Sequence, residues 1–84
     1  MFLSQAFILD VGQILITQET SSIGLVSSGW QWGRVQLSGQ DQDDYQIGDK
    51  VAYDPTGAVE VVFQAVPYFF IQQANIKFKI NPTL

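Results

Sequence analysis

Residues 47–63 read Ile47-Gly48-Asp49-Lys50-Val51-Ala52-Tyr53-Asp54-Pro55-Thr56-Gly57-Ala58-Val59-Glu60-Val61-Val62-Phe63, two runs of β-forming side chains, each opened by a turn. Glycine accepts the positive φ that a tight reversal needs and aspartate caps the turn, so Gly48-Asp49 reads as the entry to a strand over 50–53. Asp54-Pro55-Thr56-Gly57 ends that strand and starts a second over 59–63. Neither run carries the 3.6-residue period and caps of a helix.

The same grammar extends in both directions. Downstream, Pro67 precedes a run at 68–71, a single turn falls near 72–75, and Ile76-Lys77-Phe78-Lys79-Ile80 alternates between Asn75 and Asn81-Pro82. Upstream, residues 13–17 follow Gly12, and residues 34–37 alternate between Gly33 and Gly39. Six short strands with frequent turns predict an all-β chain, a small single-domain β-barrel over 1–84 or a sandwich of the same strands. Period-two alternation predicts Ile14, Ile16, Val35, Leu37, Val51, Tyr53, Ile76, Phe78 and Ile80 facing inward, with Lys77 and Lys79 outward.

Two stretches break the pattern. Residues 18–32 mix Ser and Gly with isolated apolar side chains, and residues 40–45 are polar and acidic; both read as loops. The first, a flexible loop at about 18–32, is long for a connection in a small domain, and such loops usually serve a function. Its apolar island at Ile23, Leu25 and Val26 either folds back as one more strand or is presented to a groove on a partner. Trp30 and Trp32 share a face if the segment is extended. They then either plug a barrel end, pack a subunit contact, or offer a stacking platform to a sugar or an unpaired base.

Composition narrows the chemistry. The chain has no cysteine and no histidine, which removes disulfides, thiolate and imidazole metal sites, and Cys- or His-based nucleophile pairs. The acidic run Asp41-Gln42-Asp43-Asp44 lacks the spacing of a helix–loop–helix calcium site, with Gln46 and Ala52 where Gly and Glu are required. No phosphate-cradling glycine motif occurs, and Lys50 reads as a surface residue beside a turn. We therefore expect no enzyme, no metal and no cofactor. Four basic residues (Arg34, Lys50, Lys77 and Lys79), dispersed along a chain of net charge −4, argue against a nucleic-acid partner. The N-terminal stretch up to Asp10 lacks the basic leader of a signal peptide and the length of a membrane span, so no membrane partner is expected. Absent cysteine suits a reducing, cytoplasmic setting. With 46% hydrophobic residues in 84, the surplus apolar surface predicts a homo-oligomer.

Taken in order, four pieces resemble the small co-chaperonins, the GroES family that caps barrel-shaped chaperonins. Ile14-Leu15-Ile16 followed by Thr17-Gln18-Glu19 is similar to the family's first barrel strand leading into its mobile loop. Gly33-Arg34-Val35-Gln36-Leu37-Ser38-Gly39 resembles its Gly-x-Val-x-x-x-Gly strand, and Ile47-Gly48-Asp49-Lys50-Val51-Ala52-Tyr53 its Val-Gly-Asp-x-Val-x-Phe strand entry. The stretch from Tyr68 through Ile80 resembles the two closing strands with their brief turn. The likeness covers about residues 13–80. It implies that Ile23, Leu25 and Val26 stand where the family's mobile loop docks on the chaperonin, and that neighbours pair terminal strands into a ring. The chain departs from the family in its shorter loop, in the Gly24 that splits the apolar triplet, and in Gln13 preceded by Gly12 where the family has Asp-Arg. The span from Gly39 to Ile47 is too short for a roof hairpin, and Trp30 and Trp32 are foreign to the pattern.

Two functions follow as expectations. One is a co-chaperonin-like ring subunit, in the manner of a divergent, virus-encoded version, that assists protein folding with a chaperonin as partner. The other is a structural capsid or tail building block that packs the same barrel against other virion proteins, which would place it in the virion.

Overall fold

Ile14 and Ile16 of β1 (Gln13–Glu19) lie against Val35 of β2 (Gln31–Ser38), Val51 and Tyr53 of β3 (Lys50–Tyr53) and Ile71 of β5 (Val66–Gln72), forming one buried core. Two further strands, β4 (Val59–Phe63) and β6 (Ile76–Ile80), complete the set, with a helical turn at Leu3–Ala6 and a 3-10 turn at Gln73–Asn75. This computed structural model describes residues 3–19, 29–39 and 44–80. The described residues are all-β: six strands form one antiparallel sheet in the order β4-β5-β1-β2-β3-β6.

The sheet is coiled into a barrel. A flat sheet of this width would hold its outer strands about 24 Å apart. Instead Ala58, next to β4, and Ile76, on β6, pack on the same core cluster. The turn after β3 is tied to the 3-10 turn by the Asp54 N–H donating to Asn75 O at 2.8 Å and Asn75 Nδ2 donating to Thr56 O at 3.1 Å. Among the described residues no ladder joins β4 to β6, so both remain edges. The core-lining strands can approach closely because Gly33 has no side chain. A methyl group there would meet Ile16 Cδ1 at 2.7 Å and Tyr53 Cε1 at 3.0 Å.

Two β-bulges alter which side chains face inward. In β2, Gln36 is the extra residue: Ile16 lies opposite Val35, but Leu15 lies opposite Leu37. An extra residue reverses the alternation beyond it. Leu37 therefore faces outward with Leu15, correcting its inward assignment. In β6 the extra residue is Lys77, since Tyr53 pairs with Ile76 while Ala52 pairs with Phe78. Ile76 joins the core as expected, but Phe78 and Ile80 face outward, in the rows of Ala52 and Lys50. Lys79 correspondingly lies on the inner side at the barrel's rim, over the Tyr45 ring and paired with Asp49 Oδ2 at 3.5 Å.

The outer face is apolar as well. Leu15 is fully buried there, in a row with Leu37 and Phe70. Phe7, leaving the N-terminal helical turn, packs edge-on against Phe63 and Phe70 at 5.5 and 5.6 Å between ring centres, and against Tyr68 at 6.3 Å. The strands are thus apolar on both sides at this end of the sheet, which explains the unusually hydrophobic composition without enlarging the core.

Candidate functional site

Trp32 decides the character of the other end of the outer face. Its row runs Glu19 (β1), Trp32 (β2), Ala52 (β3), Phe78 (β6), and the small Ala52 leaves room for the indole to lie across it toward Phe78. Trp32 and Phe78 meet edge to face at 5.5 Å, and Trp30 meets the same Phe78 ring at 6.4 Å. Both tryptophans therefore do share a face. Lysines complete the cluster: Lys50 Nζ lies 5.3 Å from the centre of the Trp32 ring and Lys77 Nζ 5.8 Å from that of Trp30, both cation–π distances.

The cluster is not an open platform. Trp32 is 3% exposed, with one ring face under a lysine and Phe78 packed on it at nearly a right angle. Among the described residues its Nε1–H has no hydrogen-bond acceptor, a buried unmade bond that costs about 1–3 kcal/mol. Lys50, read from sequence as a surface residue, is 6% exposed. The adjacent row holds Arg34 opposite Lys50. Arg34 donates from Nε and Nη2 to Glu19 and from Nη1 to Gly48 O at 2.8 Å. The hydrogen bonding of Arg34 to Glu19, with the guanidinium's charge, holds the Glu19 carboxyl below its usual range. The fold thus gathers all four basic residues onto β2, β3 and β6, although the sequence disperses them.

The predicted turn residues are structural. Gly48 has φ +98 and donates its N–H to Val35 O at 2.9 Å, while Asp49 O accepts from Val35 N–H at 2.9 Å. The Asp49 carboxylate, 7% exposed with its residue, accepts the Gln46 N–H at 3.0 Å. Gly48-Asp49 therefore extends the β2–β3 ladder by one step and sets the register of β3. Ile23, Leu25 and Val26, the predicted partner-binding residues, lie outside the described residues, as do Asp41, Gln42 and Asp43 of the acidic run. The strands bounding the 18–32 segment reach further into it than expected, with β1 continuing to Glu19 and β2 starting at Gln31.

Among the described residues no three acidic side chains converge as metal ligands, and no helix is long and apolar enough to cross a membrane. The aromatic–lysine cluster was half visible in the sequence, through the Trp30/Trp32 spacing. Lys50 and Phe78 join it only through the pairing of β2, β3 and β6. No protein family matches the sequence, and no curated protein matches it either.

Proposed function

We propose that the chain is a non-enzymatic ring subunit that assists protein folding in the manner of a co-chaperonin, capping a chaperonin through the segment that joins β1 to β2. The observation that carries this reading is a small barrel with a free terminal edge and an exposed apolar N-terminal stretch. Among the described residues β6 has a partner on one side only, and Phe78 on it is 42% exposed. Ile8 is 94% exposed and Val11 is also exposed, just ahead of β1. Unpaired edges with apolar side chains are sites of strand addition, and ring closure by neighbouring terminal segments satisfies both.

The placement of the family-like pieces supports the same reading. They fall on β1, on β2, on the Gly48-Asp49 turn with β3, and on β5, the 3-10 turn and β6. Ile23, Leu25 and Val26 then belong to the connection between two central strands, where several copies around a ring add avidity to weak individual contacts. A cytoplasmic chaperonin is the partner in this reading.

The test is capture of a chaperonin in the presence of ATP by wild type and by Leu25→Ser. Burial of one leucine is worth about 1.5–3 kcal/mol, so capture falls tenfold or more while the melting temperature holds. If neither form captures a chaperonin and Leu25→Ser instead melts early or fails to assemble, the chain is a structural subunit of a particle.

A further inference from the structure

We propose that Trp32 and Lys50 form a receptor for an oxyanion, a carboxylate or a phosphate group, on the outer face of β2 and β3. A buried donor without an acceptor stands there beneath a cation. The Trp32 indole Nε1–H is unpaired, and Lys50, its ammonium over the same indole, has no carboxylate within ion-pair distance among the described residues. A buried N–H calls for an acceptor, and a negatively charged one serves the neighbouring ammonium as well. Glu19, opposite Trp32, feels the Lys50 charge but bonds neither donor, Arg34 holding both its oxygens.

The same geometry sets the chemical class. Sugars and bases bind tryptophan by its ring face, and the Trp32 ring carries an ammonium over one face and packs against Phe78 at nearly a right angle. A sugar hydroxyl also needs acceptors, and the groups left free at the patch are donors: Lys50 and the indole N–H. An oxyanion fits donors alone. The four-carbon stem of Lys50 lets its ammonium follow the ligand, and the partly exposed Phe78 ring is the wall through which it enters. The anion comes either from solution or from an acidic side chain of a second copy, the chain holding eight acidic residues against four basic.

The chain's two tryptophans give two indole N–H signals in a nitrogen-15 spectrum, assigned with Trp32→Phe. Sodium phosphate or sodium acetate, added at constant ionic strength against sodium chloride, should move the Trp32 signal saturably and leave Trp30 in place. Lys50→Met should weaken this at least tenfold, and Lys50→Arg should retain it. Calorimetry with phosphate on Trp32→Phe, which keeps the aromatic bulk, should show the same loss if Lys50→Met does not fold. A Trp32 signal that moves with protein concentration alone assigns the anion to a second copy. The proposal is overturned if Trp32 responds to neither anion nor protein concentration, or if Lys50→Met or, where that variant does not fold, Trp32→Phe binds as wild type does.

Discussion

Arg34 ties three parts of the barrel together, with Glu19 on β1 and the Gly48 carbonyl before β3 both receiving its N–H groups from β2. Because Arg34 holds the Glu19 carboxyl below its ordinary value, the unfolded chain binds that proton more readily than the folded one. The pair's contribution is therefore complete above the usual carboxylate range, about pH 4–5, and is lost as pH falls through the lowered folded value. Partial exposure of both groups keeps it to about 0.5 kcal/mol. Glu19→Gln should accordingly lower the melting temperature by a few degrees at neutral pH and flatten the acid limb, where wild type and variant converge. Gly33→Ala acts without regard to pH: its methyl group enters the space of Ile16 and Tyr53, and denaturant unfolding should show a loss of about 1–3 kcal/mol. At this scale the sequence marks Gly48 and Asp49 clearly, because turn chemistry is local, whereas Gly33, read as the boundary of a strand over 34–37, lies inside β2 against Ile16 and Tyr53. Lys50 was misread for the opposite reason. Its burial comes from Trp32, which lies eighteen positions away in the chain and alongside it in the sheet.

The strands themselves were legible because period-two alternation and turn residues reflect local geometry, and the 3-10 turn at Gln73–Asn75 fell where a single turn was expected. Facing directions beyond a bulge were not. Alternation in Val35-Gln36-Leu37 and in Ile76-Lys77-Phe78-Lys79-Ile80 is unbroken in sequence, and each reversal arises from one unpaired residue, Gln36 or Lys77. The extra residue is tolerated because both faces of the sheet are apolar, so a side chain turned out of the core still finds cover. Leu15 tests this account. It faces away from the core cluster, yet Leu15→Ala should cost about 2–5 kcal/mol in chemical unfolding, as a core truncation does. Phe7→Ala should cost part of the same, since Phe7 covers that face against Phe63 and Phe70. The β4–β5 hairpin carries strain of another kind. Gln64 and Ala65 both take left-handed backbone, φ 51 and 67, in a two-residue turn that glycine or asparagine suits. Relief of about 1 kcal/mol outweighs the extra freedom glycine gives the unfolded chain, so Ala65→Gly should raise the melting temperature slightly.

Across the whole molecule the apolar surplus divides between two faces of one sheet and a few exposed positions, and those positions carry the assembly prediction. Ile8 and Val11 precede β1 and contribute almost nothing to the isolated fold, since Ile8 is 94% exposed. Phe7, one residue earlier, anchors the stretch on the outer face, so Ile8 is held in a fixed place on the surface. The free edge of β6 presents Phe78 and the charge of Lys77 at the other side of the sheet order. If neighbouring copies join these two regions, the interface is head-to-tail, and repeated contacts of that kind close into a ring. Ile8→Asp separates assembly from folding. A carboxylate at a fully exposed site changes monomer stability by no more than about 0.5 kcal/mol, whereas at a buried subunit contact it adds an unpaired charge to every interface of the ring. Sedimentation at micromolar concentration should show wild type as an assembly and Ile8→Asp as a folded monomer with an all-β far-ultraviolet spectrum. An assembled Ile8→Asp would move the interface elsewhere on the barrel, and a wild type that stays monomeric with and without a chaperonin would remove the ring altogether.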